Sequence, residues 1–97
     1  MLTVTDVCVV EVPPVGGAVA RLVCCDGVDI GLVQKYATGR GRFPWVAYAM
    51  DRVFEGRLVA GTDLGSFYGR GGRALAVAAC VAAWNATNCP ELAGSGG

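Results

Sequence analysis

An uncharged, alanine-rich segment near the C-terminal end constrains this chain more than any other feature. The eleven residues from Ala74 to Trp84 are all apolar, and no charged residue lies between Ala74 and Pro90. Alanine is the best helix former, so the segment predicts a helix. A surface helix normally has one apolar stripe and one polar face, whereas this helix would be apolar on every side. Since it is too short to cross a bilayer, which takes about 20 apolar residues, we expect its outer side to meet a second copy or another protein.

The composition is typical of one folded domain. The chain has 97 residues, of which 54% are hydrophobic and 16% are charged, as in chains that fold rather than remain disordered. Eight basic residues balance eight acidic ones, whereas a generic nucleic-acid-binding domain is clearly basic. We expect a single domain over residues 1–92, followed by a disordered tail over residues 93–97.

The N-terminal segment and the hydropathy pattern predict a cytoplasmic protein without a membrane span. Residues 1–12 include Asp6 and Glu11 and lack a basic start, so they do not resemble a secretory signal. No apolar run is long enough to cross a membrane. Seven arginines against one lysine, with 14 alanines and 15 glycines, indicate a high-GC genome such as that of an actinobacterium or one of its phages.

Alternating β-branched residues and turn signals predict an antiparallel sheet that precedes the helix. Asp26–Gly27 is a strong hairpin signal, and Pro13 and Pro14 are expected to end the first strand because proline cannot donate to a ladder. Residues 51–62 fit either a wide hairpin loop or a short strand at 57–60. The predicted fold class is α+β, a small antiparallel sheet of four to five strands packed on one C-terminal helix. The strands are expected at residues 3–12, 19–25, 28–36, 43–50 and 63–68.

Strand alternation assigns faces to the side chains of the predicted third strand. Ile30, Leu32 and Gln34 would share one face of the sheet, while Val33 and Lys35 would share the other. In the next strand, Trp45 and Tyr48 would point to opposite faces. At least one of these two aromatic rings would therefore face away from the helix.

The cysteine content argues against a disulfide framework and against a zinc site. There are five cysteines, an odd number, with no CxxC spacing and no histidine. We interpret the cysteines as small buried apolar residues. Cys24 and Cys25 are adjacent, so in a strand they would point to opposite faces. We predict no cofactor and no bound metal.

Side chains suited to catalysis are few. Without histidine the usual general base is missing. A thiol nucleophile at Cys24 or Cys25 would need a nearby base to form the thiolate, and the sequence offers no candidate. Solvation beside turns explains most of the acidic residues better than an acid–base pair does. The sequence therefore predicts a protein that is not an enzyme.

Residues 28–84 follow a recognisable order of features. A strand is followed by a basic loop, an aromatic strand, the strand LGSFY and an alanine-rich helix. This order resembles the three-stranded sheet plus helix of integrase arm-type DNA-binding domains and the related AP2-like fold. The resemblance implies a sheet that lies in the major groove and a helix that braces its back. It implies that five residues lie on the exposed side of the sheet, namely Lys35, Arg40, Arg42, Trp45 and Arg52.

Two glycine- and arginine-rich segments are candidate anion sites. In GRGGR at residues 69–73, Arg70, Arg73 and the backbone amides at the helix start would hold a phosphate or another anion. The alternative is a flexible turn whose arginines pair with Asp63 or Glu55. In GRGR at residues 39–42, the arginines would contact DNA phosphates, or the segment would be a solvated loop.

Two functions fit these features, and we favour the first because the net charge is zero. It is a small non-enzymatic interaction module, in the style of small actinobacteriophage accessory proteins, that forms a homodimer or binds a host protein. Its contacts would come from the apolar helix 74–84 and an exposed sheet face, with the partner-binding candidates Leu75, Val81, Trp84 and Tyr48. The alternative is a DNA-binding module that presents its sheet and basic loops to duplex DNA. Its nucleic-acid or anion contacts would be Lys35, Arg40, Arg42, Trp45, Arg52, Arg70 and Arg73.

Overall fold

A computed structural model describes residues 1–15, 18–36 and 43–88. These residues form an α+β fold, as predicted, in which the antiparallel strands precede a C-terminal helix. The predicted tail at 93–97 lies outside the described residues. The strands are β1 (Cys8–Val15), β2 (Ala18–Cys25), β3 (Val28–Tyr36), β4 (Trp45–Ala49), β5 (Arg52–Phe54), β6 (Arg57–Val59) and β7 (Asp63–Phe67), and the helix is α1 (Gly72–Asn88).

Five of the strands form one sheet in the order β1-β2-β3-β4-β7, in which every neighbouring pair is antiparallel. The strands β5 and β6 form a separate hairpin that is inserted between β4 and β7. The helix α1 packs against β3, β4 and β7. One face of the sheet therefore carries the helix, and we call it the helix face; we call the other the open face.

Two tight turns have the backbone conformation that hairpins prefer. Asp26 and Gly27 have φ values of 49° and 79°, and Glu55 and Gly56 have φ values of 51° and 76°. Positive φ at both central residues is the type I′ pattern, whose twist matches that of the flanking strands. The hairpin predicted at Asp26–Gly27 is confirmed.

The ambiguous segment 51–62 is a short hairpin with a hydrogen-bonded base. The Ala49 amide donates to the Thr62 carbonyl over 2.9 Å, and the Gly61 amide donates to the Ala49 carbonyl over 2.8 Å. The Asp51 carboxylate accepts hydrogen bonds from both the amide and the hydroxyl of Thr62. Because these bonds favour the charged form, they lower the pKa of Asp51 below its usual value.

The first strand lies further along the chain than the sequence predicted. Asp6 holds the preceding residues in a turn, since its carboxylate accepts from the Thr3 amide over 2.7 Å and from the Thr3 hydroxyl over 2.9 Å. At the other end, the prediction that Pro13 and Pro14 stop the strand was wrong. The strand β1 is at the edge of the sheet and its register shifts between Val12 and Val15. Proline is tolerated at edges and bulges.

The core lies between the sheet and α1 and contains small, closely packed residues. Val23, Val33 and Cys80 are fully buried there. Gly31 makes the close approach of the helix feasible, because a Cβ atom added at Gly31 would lie 2.5 Å from the Cys80 Sγ. Ile30 also belongs to this core, so the prediction that it shares a face with Leu32 was wrong. The cause is a bulge in the β2–β3 register, where Val23 pairs with Gly31 and Cys24 pairs with Asp29.

Candidate functional site

The open face carries a transverse row of apolar side chains, which we call the open row: Val10, Leu22, Leu32 and Tyr48. They are successive register partners on β1, β2, β3 and β4, and directly opposite residues project from the same face of a sheet. Their neighbours Val33 and Ala47 contribute to the core under α1. Since successive residues alternate between faces, the open row points away from the helix.

The open face carries little charge across its first four strands. Val10 is 44% exposed, while Leu22, Leu32 and Tyr48 are half-buried. The Gln34 side-chain amide donates to the Tyr48 hydroxyl over 3.3 Å, which fixes the ring on this face. Among the described residues, Asp29, the register partner of Cys24 near the start of β3, is the one charged residue at the open-face positions of β1 to β4; the other positions include Cys8, Val10, Val12, Ala20, Leu22, Cys24, Leu32, Gln34, Val46 and Tyr48.

The other charged residues of these strands lie on the helix face, at positions beside the helix. Glu11 and Arg21 are register partners and form a salt bridge of 3.1 Å. Lys35 pairs in register with Trp45, and its Nζ lies 6.0 Å from the centre of the indole ring. This distance fits a cation–π contact.

The implied position of Lys35 and Trp45 on the exposed side of the sheet was wrong. Trp45 packs against the core, and its ring lies 3.5 Å from a Cβ atom built at Gly72, at the start of the helix. Lys35 follows Trp45 to this side because the two are directly opposite in the sheet. Arg52 is exposed on the β5–β6 hairpin. Arg40 and Arg42 lie outside the described residues.

The four predicted partner-binding residues do not converge on one surface. Tyr48 belongs to the open row, while Leu75 is 54% exposed on the other side of the molecule. Val81 is only 5% exposed because it faces the sheet. Trp84 is half-buried against the core and, with Leu58 of the β5–β6 hairpin, lines a cavity of about 280 Å³.

Leu75 borders an apolar groove of about 440 Å³ beside the first half of the helix. The groove is also lined by Val4, Val9 and two arginines, Arg21 and Arg73. Further along α1, the exposed positions Ala82 and Ala86 present only methyl groups. From Ala74 onward the outer side of the helix is therefore uncharged, but it offers little side-chain area beyond Leu75.

The glycines of the GRGGR junction have structural roles. Gly69 and Gly71 have φ values of 81° and 77°, which side chains rarely adopt. A Cβ atom at Gly72 would lie 2.6 Å from the Phe67 carbonyl oxygen. The Gly72 amide already donates to the Gly69 carbonyl, and the Leu75 amide donates to the Gly71 carbonyl. Turn geometry and close packing thus account for these residues without an anion.

The arginines of that junction are exposed. Arg70 and Arg73 form no salt bridge with any of the described carboxylates, Asp63 and Glu55 included. Arg73 lies in the first turn of α1, which contains no acidic residue. A cation is unfavourable at this position because the helix N-terminus carries a partial positive charge.

The four described cysteines differ in how deeply they are buried. Cys80 is buried, as predicted, and burial raises its pKa to about 11. Desolvation, followed by the nearby charge of Asp26, raises the pKa of Cys25. The prediction that the cysteines are buried was wrong for Cys8, which is exposed, and for Cys24 and Cys25, which are half-buried. Within the described part of the chain, no three Cys, Asp or Glu side chains form a cluster suited to a metal ion.

Comparisons with protein-family models, with curated proteins and with solved structures find no match to this chain. Over residues 1–15, 18–36 and 43–88, α1 is not long and apolar enough to span a membrane.

The sequence-based site list missed Val10, Leu22 and Leu32. A signal for them was present, because β2 and β3 have apolar residues at consecutive positions such as Leu22–Val23 and Leu32–Val33. A strand that is apolar on both faces is typical of a sheet buried on both sides. The predicted contact residues were instead chosen from the helix, the arginines and the aromatic rings.

Proposed function

We propose that this protein is a non-enzymatic interaction module that forms a homodimer through the open face of its sheet. The observation that carries the proposal is the distribution of charge between the two faces. An antiparallel sheet with one solvated face normally places polar residues on that face. Here the described open-face positions of β1 to β4 carry one charge, Asp29 near the start of β3, while Glu11, Arg21 and Lys35 lie on the helix face.

A largely apolar face with few charges favours a second copy as the partner. A two-fold axis through the open row would bring apolar side chains of the two copies together. Two sheets pack face to face at a separation of about 10 Å with interdigitating side chains. Exposed apolar patches of this kind mark interaction sites in soluble proteins. If the partner is instead a host protein with its own apolar surface, the isolated chain stays monomeric, whereas a second copy doubles its mass in solution.

The DNA-binding alternative gains less support from the arrangement of cations. DNA-binding surfaces present Lys and Arg to the phosphates. The described cations lie away from the open face, since Lys35 and Arg21 are on the helix face, Arg52 and Arg57 are on the hairpin, and Arg70 and Arg73 are near the helix start. Binding to duplex DNA would therefore use the loops and the hairpin rather than the flat sheet.

The test compares two valines of similar exposure on opposite faces of the sheet. Val10 is 44% exposed on the open face, and Val19 is 41% exposed on the helix face, where its register partner is Lys35. We would measure the mass in solution of the wild type, Val10→Glu and Val19→Glu by light scattering over a concentration series. The folded state of each variant would be verified by circular dichroism.

We expect a wild-type dimer, a Val10→Glu monomer and a Val19→Glu dimer. A carboxylate at Val10 would be buried without a partner in the interface, at a cost of several kcal/mol. Dissociation of both variants would mean that the open face is not the interface. A wild type that remains monomeric up to about 100 µM, where weak dimers with Kd values in the micromolar range would form, would refute the homodimer. Retention of a folded monomer on immobilised duplex DNA at low salt would instead support the alternative.

A further inference from the structure

Two of the cysteines face each other across the first hairpin of the sheet. Cys8, the first residue of β1, is the register partner of Cys24 in β2. Directly opposite residues in an antiparallel pair have Cα atoms about 4.5 or 5.5 Å apart, depending on the type of pair. Both separations lie within the range of about 4.4–6.8 Å that disulfides adopt. The backbone therefore already has a spacing suited to a cross-strand bond.

The side chains of this pair also lie on the same side of the sheet. Cys8 and Cys24 are on the open face, next to Val10 and Leu22. The Cys24 Sγ is 3.7 Å from the Cys8 carbonyl oxygen, so this thiol is directed toward β1. Cys8 is exposed and Cys24 is half-buried, which leaves one thiol open to a reagent and the other behind it.

We propose that Cys8 and Cys24 are a reversible thiol–disulfide site that reacts with small-molecule disulfides. The exposed Cys8 thiolate attacks a disulfide RSSR, which forms a protein–SR mixed disulfide and releases one RS⁻. The Cys24 thiolate then attacks the Cys8 sulfur, forms the cross-strand bond and releases the second RS⁻. The two leaving thiolates take up the two protons that the cysteines give up. The protein loses two electrons, and RSSR is reduced to two RSH.

The other two described cysteines are poorly placed for this chemistry. Cys25 is adjacent to Cys24 but projects from the opposite face, where desolvation, followed by the charge of Asp26, raises its thiol pKa. Cys80 is fully buried under the sheet. The adjacent residues Cys24 and Cys25 therefore provide a matched pair, in which Cys24 and not Cys25 is the register partner of Cys8.

The experiment uses the full chain with oxidised glutathione as the probe. We would compare Cys25→Ser with Cys24→Ser, each combined with Cys89→Ser. After oxidation, the remaining thiols would be alkylated, and tryptic peptides would be analysed without reduction. Cleavage after Arg21 and Lys35 places Cys8 and the Cys24–Cys25 pair on separate peptides, residues 1–21 and 22–35.

We expect the cross-linked peptide pair in Cys25→Ser, with at least roughly tenfold less in Cys24→Ser because of the opposite orientation of Cys25. The intact mass of Cys25→Ser should fall by two hydrogen atoms and return on reduction. Its melting temperature should be higher when oxidised, by about 10 °C, because the bond closes the β1–β2 hairpin.

Three outcomes would overturn the proposal. These are equal cross-linking in the two variants, glutathione adducts on Cys8 that never resolve, and disulfide bonds that form only between chains on a non-reducing gel. The result does not depend on the proposed homodimer, since the intrachain bond can form in a monomer such as Val10→Glu. Failure of one proposal would therefore leave the other standing.

Discussion

The face of the sheet that the helix covers has more charged residues than the face that is left open, which is the reverse of the usual arrangement. The helix face contains the tightly packed core at Val33 and Cys80, yet it also contains Glu11, Arg21 and Lys35 at positions beside the helix. The open face of β1 to β4 has no described element packed on it and carries one described charge, Asp29. The charges on the helix face lie around a packed core, whereas a face with so little charge is typical of a surface that becomes buried.

The largest expected effect comes from filling the close contact on the helix face. Gly31→Ala would place a Cβ atom 2.5 Å from the Cys80 Sγ, so the helix must move away from the sheet. We expect a loss of about 3 kcal/mol in the free energy of unfolding, measured by urea denaturation. Gly27→Ala is the control, because its Cβ would meet nothing within 4 Å and only the positive φ opposes it, at a cost of about 1 kcal/mol. Equal losses would show that Gly31 has no special role in the helix packing.

Adjacent residues of β3 test whether the open face is covered in solution. Val33→Ala creates a cavity in the core under the helix and should cost about 2 kcal/mol at every protein concentration. Leu32→Ala removes area from the open row. Because a dimer gains stability with concentration, the wild type and Val33→Ala should share this dependence, while Leu32→Ala should lose much of it. Denaturation at two concentrations would measure the difference, and a concentration-independent wild type would argue against dimerisation.

A smaller effect is expected where the N-terminal segment joins the helix face. Asn85 holds Leu2 by two hydrogen bonds, accepting from its amide over 2.9 Å and donating to its carbonyl over 2.8 Å. Asn85→Ala should cost about 1–2 kcal/mol and increase amide exchange near Leu2. Asn88→Ala is the matched control, because the Asn88 side chain donates only to Trp84 within the same helix. If the two variants unfold alike, the N-terminal segment does not stabilise this face.

The smallest effect concerns the hairpin at the side of the sheet. The pKa of Asp51 is lowered by its hydrogen bonds with Thr62. A lowered folded pKa means that the contribution to stability is present above the unfolded pKa and is lost as the pH falls through the folded pKa. Asp51→Asn should therefore flatten the decline in stability between roughly pH 5 and pH 2. Thr62→Val should flatten it similarly, and an unchanged acid profile in both variants would contradict the assignment.

Local signals in the sequence were sufficient for the elements that depend on local chemistry. The alanine-rich segment predicted α1, and Asp26–Gly27 predicted a hairpin whose φ values confirm it. The hairpin at 51–62 was harder to predict because its turn is Glu55–Gly56, a pair without the strong preference of Asn–Gly or Asp–Gly. Its strands are only three residues long.

Side-chain direction was the part that local patterns predicted poorly. A bulge changes the alternation in β3 and brings Ile30 into the core. The resemblance to arm-type DNA-binding domains implied an exposed position for Lys35, but its register with Trp45 places it beside the helix. Both depend on pairing between strands, which a single strand's sequence does not encode. The sequence named Tyr48 on a sheet face and Leu75 on the helix as contacts, without indicating that the two lie on opposite sides of the molecule.

The prolines of the edge strand limit what kind of assembly this sheet can enter. Pro13 and Pro14 remove two amide donors from β1, and the register shift between Val12 and Val15 bends the strand beside them. An incoming strand would find an incomplete ladder along this border. The β1 edge therefore disfavours the addition of a strand from another copy. Two copies can stack face to face as a closed dimer, whereas a continuous sheet cannot extend past the prolines of β1.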